Sequence, residues 1–446
     1  KTRYNETVAL IMAIFWLFLY VLVNLTSILY LGALAINGIT GGGYLHVIMI
    51  GLAIFALIIS LGGMKVIGYT DVIQVGVLII GGLVTTYIAL TVVGEKFGVG
   101  SNAIAGFKVL MHNAPEHFKM IFPKPTASSS QLEVDKYLSF PGIASYLAGI
   151  WIINLNYWGC NQYITQRALG ADLSTARTGI LFAGFLKLLM PVIVMLPGIA
   201  AFVLYSKGML PQLVGGKDGA YSAVLTFLPT GLKGLSVAAL TAAIVASLAG
   251  KVNSISTIYT LDIHKKYINK GADERKQVLI GRATVFVAMV LAVLFTWNDL
   301  LGIGGAGGFT YIQKYTGFIS PGVFAVFLLG MFWKRTTGAA AIVGVIAGFL
   351  FSLLFNEFAP QLFGNENFIY TAYSNGKGGY EIPFHICMGL SFMFTMILMI
   401  AISLAGPKIN PKAFELDKSM FKLSPQTILL ISLTLLLIMA LYIKFW

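Results

Sequence analysis

Charge is what this chain most lacks. Only 11% of its 446 residues are Asp, Glu, Lys or Arg, against roughly 25% in an ordinary soluble domain. Apolar residues make up 57%, and mean hydropathy is +0.84. So few charges cannot cover so much apolar surface in water, which excludes a cytosolic enzyme, a secreted disulfide scaffold and a disordered chain. Cysteine is nearly absent as well. Cys160 and Cys387 both lie in apolar stretches, which argues against disulfides. The five histidines are scattered singly, so no Cys/His spacing fits a zinc site. The apolar runs are continuous rather than alternating, which excludes a β-barrel.

What is present is a series of apolar runs. A bilayer-crossing helix needs about 20 mostly apolar residues. Eleven stretches qualify: 7–37, 44–63, 72–93, 140–165, 178–205, 234–263, 278–298, 305–333, 338–356, 385–405 and 426–446. Only helices or closed barrels satisfy their backbone in lipid. The reading is an all-α integral membrane protein and a single transmembrane domain over 1–446. The Pro- and Ser-containing stretch 94–139 reads as an external loop, with a short amphipathic helix near 101–112. Residues 357–384 read as a second external loop.

The net charge of +13 could suggest an acidic partner, yet topology absorbs it. With alternating crossings, 17 Lys and Arg fall on the side of the N-terminus, and 5 in the short loops and tail of the other side. Basic residues mark the cytoplasmic side. The N-terminus of the chain therefore reads as cytoplasmic and the C-terminus as external, and nucleic acid is not expected as a partner. Lys187, Lys251 and Lys314 remain within the spans.

Polar groups inside spans are costly and point to function. The fourth span is densest, with Trp151, Asn154, Asn156, Tyr157, Trp158, Asn161 and Gln162. Asn154, Tyr157, Trp158 and Asn161 follow helical i, i+3, i+4, i+7 spacing and share one face. Amides beside aromatic rings suit a polyhydroxylated ligand, since the amides bond hydroxyls and a ring covers a C–H face. Gly159 in that run is where a transporter helix unwinds. The competing reading is polar glue between helices. Lys187 lies alone in the fifth span near Pro191, facing either a ligand or a buried partner. The eighth span offers Phe309 and, four residues on, Gln313, then Lys314, with a break expected at Ser320-Pro321-Gly322. The sixth span is rich in small residues around Ala243 and Ser247, which suits tight packing or a weakly held cation such as Na⁺. Lys251 lies four residues after Ser247 and reads as snorkelling or as an ammonium near such a cation. Asp71 opens the third span, where an acid also caps a helix. The Gly302–Gly308 run follows no strand and is not a phosphate cradle.

Several runs resemble the sodium/solute symporter family. Gly62-Gly63 with Thr70-Asp71-Val72-Ile73-Gln74 is similar to one family signature, and Phe332-Trp333-Lys334-Arg335-Thr336-Thr337-Gly338-Ala339 to another. Val23-Asn24-Leu25-Thr26-Ser27, Tyr157-Trp158-Gly159 with Asn161-Gln162-Tyr163, Phe185-Leu186-Lys187-Leu188, Leu196-Pro197-Gly198-Ile199-Ala200-Ala201 and Tyr311-Ile312-Gln313 look most like the bacterial sodium/galactose (sodium/glucose-type) branch.

The resemblance covers essentially the whole chain. It implies a LeuT-like core of two inverted repeats: residues 1–93 as the remainder of the first, 140–333 as the second, and 338–446 as peripheral C-terminal helices. It also implies fourteen spans in the full protein, the N-terminal three being absent from this sequence, which begins at Lys1 rather than Met. Of the site residues, it implies that Asn154, Lys187 and Gln313 bond sugar hydroxyls. Tyr157, backed by Trp158, stacks on the sugar at an inner gate, and Phe309 stands at an outer gate. Ala243 and Ser247 hold sodium, and Asp71 takes part in sodium coupling. Ala246 stands where the sodium/galactose branch has a second serine. The implied function is sodium-coupled symport of a hexose such as galactose or glucose by alternating access in a bacterial inner membrane, with no enzymatic activity. Sodium is co-transported, and the partners are a small sugar, sodium and the lipid bilayer; an oligomer stays open. The alternatives are a membrane sugar sensor and a sodium-coupled transporter of another small polar solute such as inositol.

Overall fold

Five of the long apolar helices open on a polar residue that accepts orphan amides of the helix start. Asn5 accepts from the Val8 N–H, Asp172 from Ser174 and Thr175, Asp273 from Lys276, Thr337 from Ala340, and Ser424 from Thr427. The computed structural model describes residues 2–210, 213–359, 371–417 and 421–446, apart from the side chains of residues 63–67, 70, 71 and 306.

Between these caps run the helices. In chain order they are α1 (Glu6–Ile39), α2 (Leu45–Ser60), α3 (Gly63–Lys96), α4 (Ala103–Asn113), α5 (Gln131–Ser139), α6 (142–160), α7 (Gln162–Ala168), α8 (Leu173–Ser206), α9 (Thr230–Ile268), α10 (Glu274–Thr296), α11 (Gly308–Phe332), α12 (Gly338–Phe358), α13 (Phe384–Leu404) and α14 (Pro425–Phe445). Among the described residues, ten helical stretches are long and apolar enough to cross a membrane, and the 16-residue α2 is a shorter apolar helix. Together they coincide with the eleven spans expected from hydropathy. The 94–139 segment holds α4, near the expected amphipathic helix, and also α5, which begins with a Ser130/Glu133 capping box. A two-residue hairpin pairs Tyr373 with Glu381 and Ser374 with Tyr380.

Long-range contacts tie the loops together at the ends of the bundle. At one end, Arg3 donates to the carbonyls of Gly330, Trp333 and Thr336, and Lys412 to that of Tyr4. Arg177 of that same end reaches the Lys422 carbonyl. At the other end the 94–139 segment meets the hairpin through Gln131 and the Asn375 carbonyl, and meets α14 through the Met120 N–H and the Phe445 carbonyl.

One buried cluster joins α1, α2, α9, α10 and α11, a second joins α3, α4 and α8, and a third joins α11, α12 and α13. No residue of the apolar window of α14 is buried, so its surface is left for lipid.

The Ser320-Pro321-Gly322 run does not interrupt its helix, contrary to expectation: α11 continues from Gly308 to Phe332. Two contacts flank the proline. Ser320 Oγ donates to the Thr316 carbonyl at 2.8 Å, and the bare backbone of Gly322 lies against α12. A Cβ on Gly348 would stand 2.4 Å from the Gly322 Cα. Because that neighbour is backbone, it cannot rotate away. Gly348→Ala is therefore expected to lower stability by roughly 1–3 kcal/mol. Gly198→Ala, which meets open space, serves as the control that holds its melting temperature in detergent.

Candidate functional site

The polar run of the fourth span forms a broken helix rather than one continuous face. From Asn156 to Cys160 the chain winds as a π-helical turn, and Asn161 then leaves the helix at φ −79°, ψ 120°. The break lies two residues after Gly159, around which a Cβ would meet nothing. Asn161 is the physical cause. Its side-chain oxygen caps α7 by accepting from the Tyr163 N–H at 3.0 Å, and its carbonyl accepts from Thr165. The expected four-residue face is therefore corrected: Asn154, Tyr157 and Trp158 lie before the break, while Asn161 turns inward to α1. There the Tyr20 hydroxyl donates to Asn161 Oδ1 at 2.5 Å and accepts from the Tyr163 N–H at 3.1 Å.

Three of the residues expected to touch sugar come together. The Lys187 ammonium is 5.0 Å from the Trp158 ring centroid and 5.9 Å from that of Tyr157. The two rings meet edge to face at 5.7 Å. Lys187 stands where α8 tightens into a short 3₁₀ turn before Pro191. Asn154 is exposed, and its amide donates to the Ile150 carbonyl at 2.8 Å. Its carbonyl oxygen can still accept from a ligand. This set joins an ammonium, an amide oxygen and two aromatic surfaces, the groups that bind vicinal hydroxyls over a C–H face.

Phe309 and Gln313 sit one turn apart on α11, Phe309 76% exposed and Gln313 half-buried. Among the described residues, no hydrogen bond or ring contact joins them to Lys187, Tyr157 or Trp158. Instead α11 joins α6 through Asn156, whose amide donates to Ser320 Oγ at 3.0 Å. The start of α11 is held from outside: both carboxylate oxygens of Asp218 accept from the Gly308 N–H, at 3.2 and 3.0 Å. Burial raises the Asp218 pKa, and the Gly308 bond and Lys217 offset part of that rise. Lys314, next to Gln313, pairs with Glu357 at 3.3 Å.

Ala243 and Ser247 lie one turn apart in α9, both half-buried. Asp71 does not open its helix as expected: α3 already begins at Gly63, with Gly62 as its N-cap, so Asp71 lies inside it and does not cap it, and its side chain is outside the described residues. Among the described residues no group of three or more His, Cys, Asp or Glu side chains is gathered as for a metal.

The cluster that sequence reasoning missed lies on the inner face of the break. Lys251 of α9 is 5% exposed, and its ammonium sits 4.3 Å from the Tyr20 ring and 4.2 Å from that of Tyr163. Arg167 shares the Tyr163 ring at 4.2 Å. Gly250 makes room for them, since a Cβ there would stand 3.0 Å from both Arg167 and Tyr163. An in-span lysine and a tyrosine in an apolar run were the available signals. Their pairing is long-range and carries no local pattern.

The model of the "Sodium:solute symporter family" matches residues 1–348. The chain is 42% identical over 437 residues to a sodium/glucose cotransporter of Vibrio parahaemolyticus, covering 94% of this chain and 74% of that protein. It is 32% identical to mouse sodium/myo-inositol cotransporter 2, covering 78% of this chain. It spans only about half the length of this and the other mammalian relatives it matches, 53% of that mouse protein. In three dimensions it resembles the outward-open, substrate-bound structure of a Na⁺-coupled sialic acid symporter, with TM-score 0.69, 20% identity, and 91% of this chain and 76% of that one covered. At that identity the match carries the fold alone, an all-α LeuT-like core.

Two outcomes test this geometry. Tyr20→Phe removes the hydroxyl shared by Asn161 and Tyr163. It is expected to cost roughly 1–3 kcal/mol and to raise amide hydrogen exchange in 161–168 while leaving α13 unchanged. Asp218 concerns pH. Its folded pKa lies above its unfolded one, so the native state binds the extra proton and stability falls as pH rises through that window. In melting curves across the acidic range, Asp218→Asn is expected to remove this falling component.

Proposed function

Because the chain belongs to the sodium:solute symporter family, we propose that it carries a hexose such as galactose or glucose across the membrane together with sodium, by alternating access. The observation that carries this reading is the cluster of Lys187, Tyr157 and Trp158 beside the broken helix. It sets a cationic donor and two rings within reach of one sugar. The 42% identity to the Vibrio sodium/glucose cotransporter supports the substrate class.

In this reading Asn154, Lys187 and Gln313 bond hydroxyls. Tyr157, with Trp158 behind it, stacks on the sugar and closes the inner side, and Phe309 closes the outer. Sodium lies against the Ala243 carbonyl and the Ser247 hydroxyl, with Asp71 in its coupling. Sodium entry supplies about 2.3 kcal/mol per 100 mV for each charge, plus the concentration term. Coupling follows if sodium and sugar favour the same conformations. Residues 1–93 and 140–333 form the inverted repeats, and 338–446 the peripheral helices. The bundle end bearing Arg3, Arg335 and Lys412 faces the cytoplasm of a bacterial inner membrane, because that end concentrates basic residues.

A second reading, a cyclitol such as myo-inositol in place of the hexose, is favoured by the inositol cotransporters among the relatives. Both are tested by radiolabelled uptake of galactose, glucose and myo-inositol into vesicles bearing the full-length protein, with and without a sodium gradient. Hexose accumulation that needs the gradient is expected, and Gln313→Ala should reduce it roughly tenfold or more. Sodium-independent uptake would sink the coupling. Sugar binding without accumulation would make the protein a sensor.

A further inference from the structure

The transport scheme leaves Lys251 without a role, yet the residue sits where a charge is expensive. Its ammonium is buried, and among the described residues it finds neither a hydrogen-bond acceptor nor a carboxylate. Two tyrosine faces hold it instead. Cation–π attraction offsets only part of the burial cost. Its charged neighbour on the Tyr163 ring is Arg167, a second cation. Among the described residues the Lys251 ammonium is therefore an unpaired positive charge beside the rest of α9.

Its position on α9 connects that charge to transport. Ala243, Ser247 and Lys251 follow at four-residue intervals within one continuous α-helix and so share a face. A helical side chain leans toward the N-terminus and covers the turn before its own Cα. On Lys251 that lean is in the direction of the Ser247 turn, whose Cα is about 6 Å away along the axis. A cation bound at Ser247 and the Lys251 ammonium are like charges in a water-poor helix bundle.

We propose that Lys251 governs the sodium dependence of this transporter: it is a tethered cation that opposes sodium on the Ala243–Ser247 face. The inference rests on the reading of Ser247 as a sodium ligand. At an effective dielectric near 20, two such charges about 7 Å apart weaken ion binding roughly tenfold to a hundredfold.

The test is radiolabelled sodium binding to the purified full-length protein. Lys251→Met is expected to tighten sodium binding by that factor, and Lys251→Arg, which keeps the charge, to leave it weak. A folded Lys251→Met protein with native sodium affinity overturns the proposal. Should that variant aggregate, Lys251→Gln carries the same expectation and the same overturning result. Ser247→Ala separates the two readings. Tightening by Lys251→Met that disappears in the double variant supports both. Tightening that persists in the double variant overturns the Ser247 assignment alone. No tightening, while Ser247→Ala still weakens native binding, overturns the role of Lys251 alone.

Discussion

Every backbone amide within a bilayer must find its partner inside the protein, because lipid offers none. The site can exist only where that requirement is met by something other than a straight helix. At Asn161 the helix opens, and the Tyr163 N–H at the start of α7 is shared by the Asn161 side-chain oxygen and the Tyr20 hydroxyl, which itself donates to that oxygen. Tyr20 itself lies in a π-helical turn of α1, Leu19–Leu25. Further π turns lie in α6, α8, α9 and α12. A π turn shifts the register of a helix without emptying its hydrogen bonds, and such turns gather at functional positions. The protein thus gains irregular, ligand-ready backbone at a cost its neighbours cover.

The same constraint explains what was legible in the sequence. Hydropathy located the spans because lipid demands long apolar helices. Local chemistry was less reliable where tertiary contact decides. Pro321 reads as a break, yet Gly322 and Gly348 bring α11 and α12 backbone to backbone and the helix holds. Gly159 reads as the unwinding point because glycine lacks a Cβ, yet the extended residue is Asn161, whose side chain supplies the cap. The set proposed to face the sugar was partly visible as amides and rings in one span, whereas the approach of Lys187 to Tyr157 and Trp158 depends on how α8 packs. Tyr20, Tyr163 and Lys251 come from three distant segments, and no spacing in the sequence announces their meeting.

The three lysines inside the spans show how differently one charge can be accommodated. Lys314 has a carboxylate partner in Glu357 and is therefore nearly neutral to its surroundings at a distance. Lys187 is exposed, so solvent or a ligand can complete its donors while Trp158 and Tyr157 offer their faces. Lys251 has no exposure and, among the described residues, no paired acid to cancel its field. An uncancelled charge in a low-dielectric bundle acts over several ångströms, which makes it felt by any ion on the same helix face. Chains with scarce charge concentrate electrostatic consequence in the few buried charges they retain. Here that consequence falls on the helix that carries Ala243 and Ser247, and the other two lysines, being paired or exposed, exert much less of it.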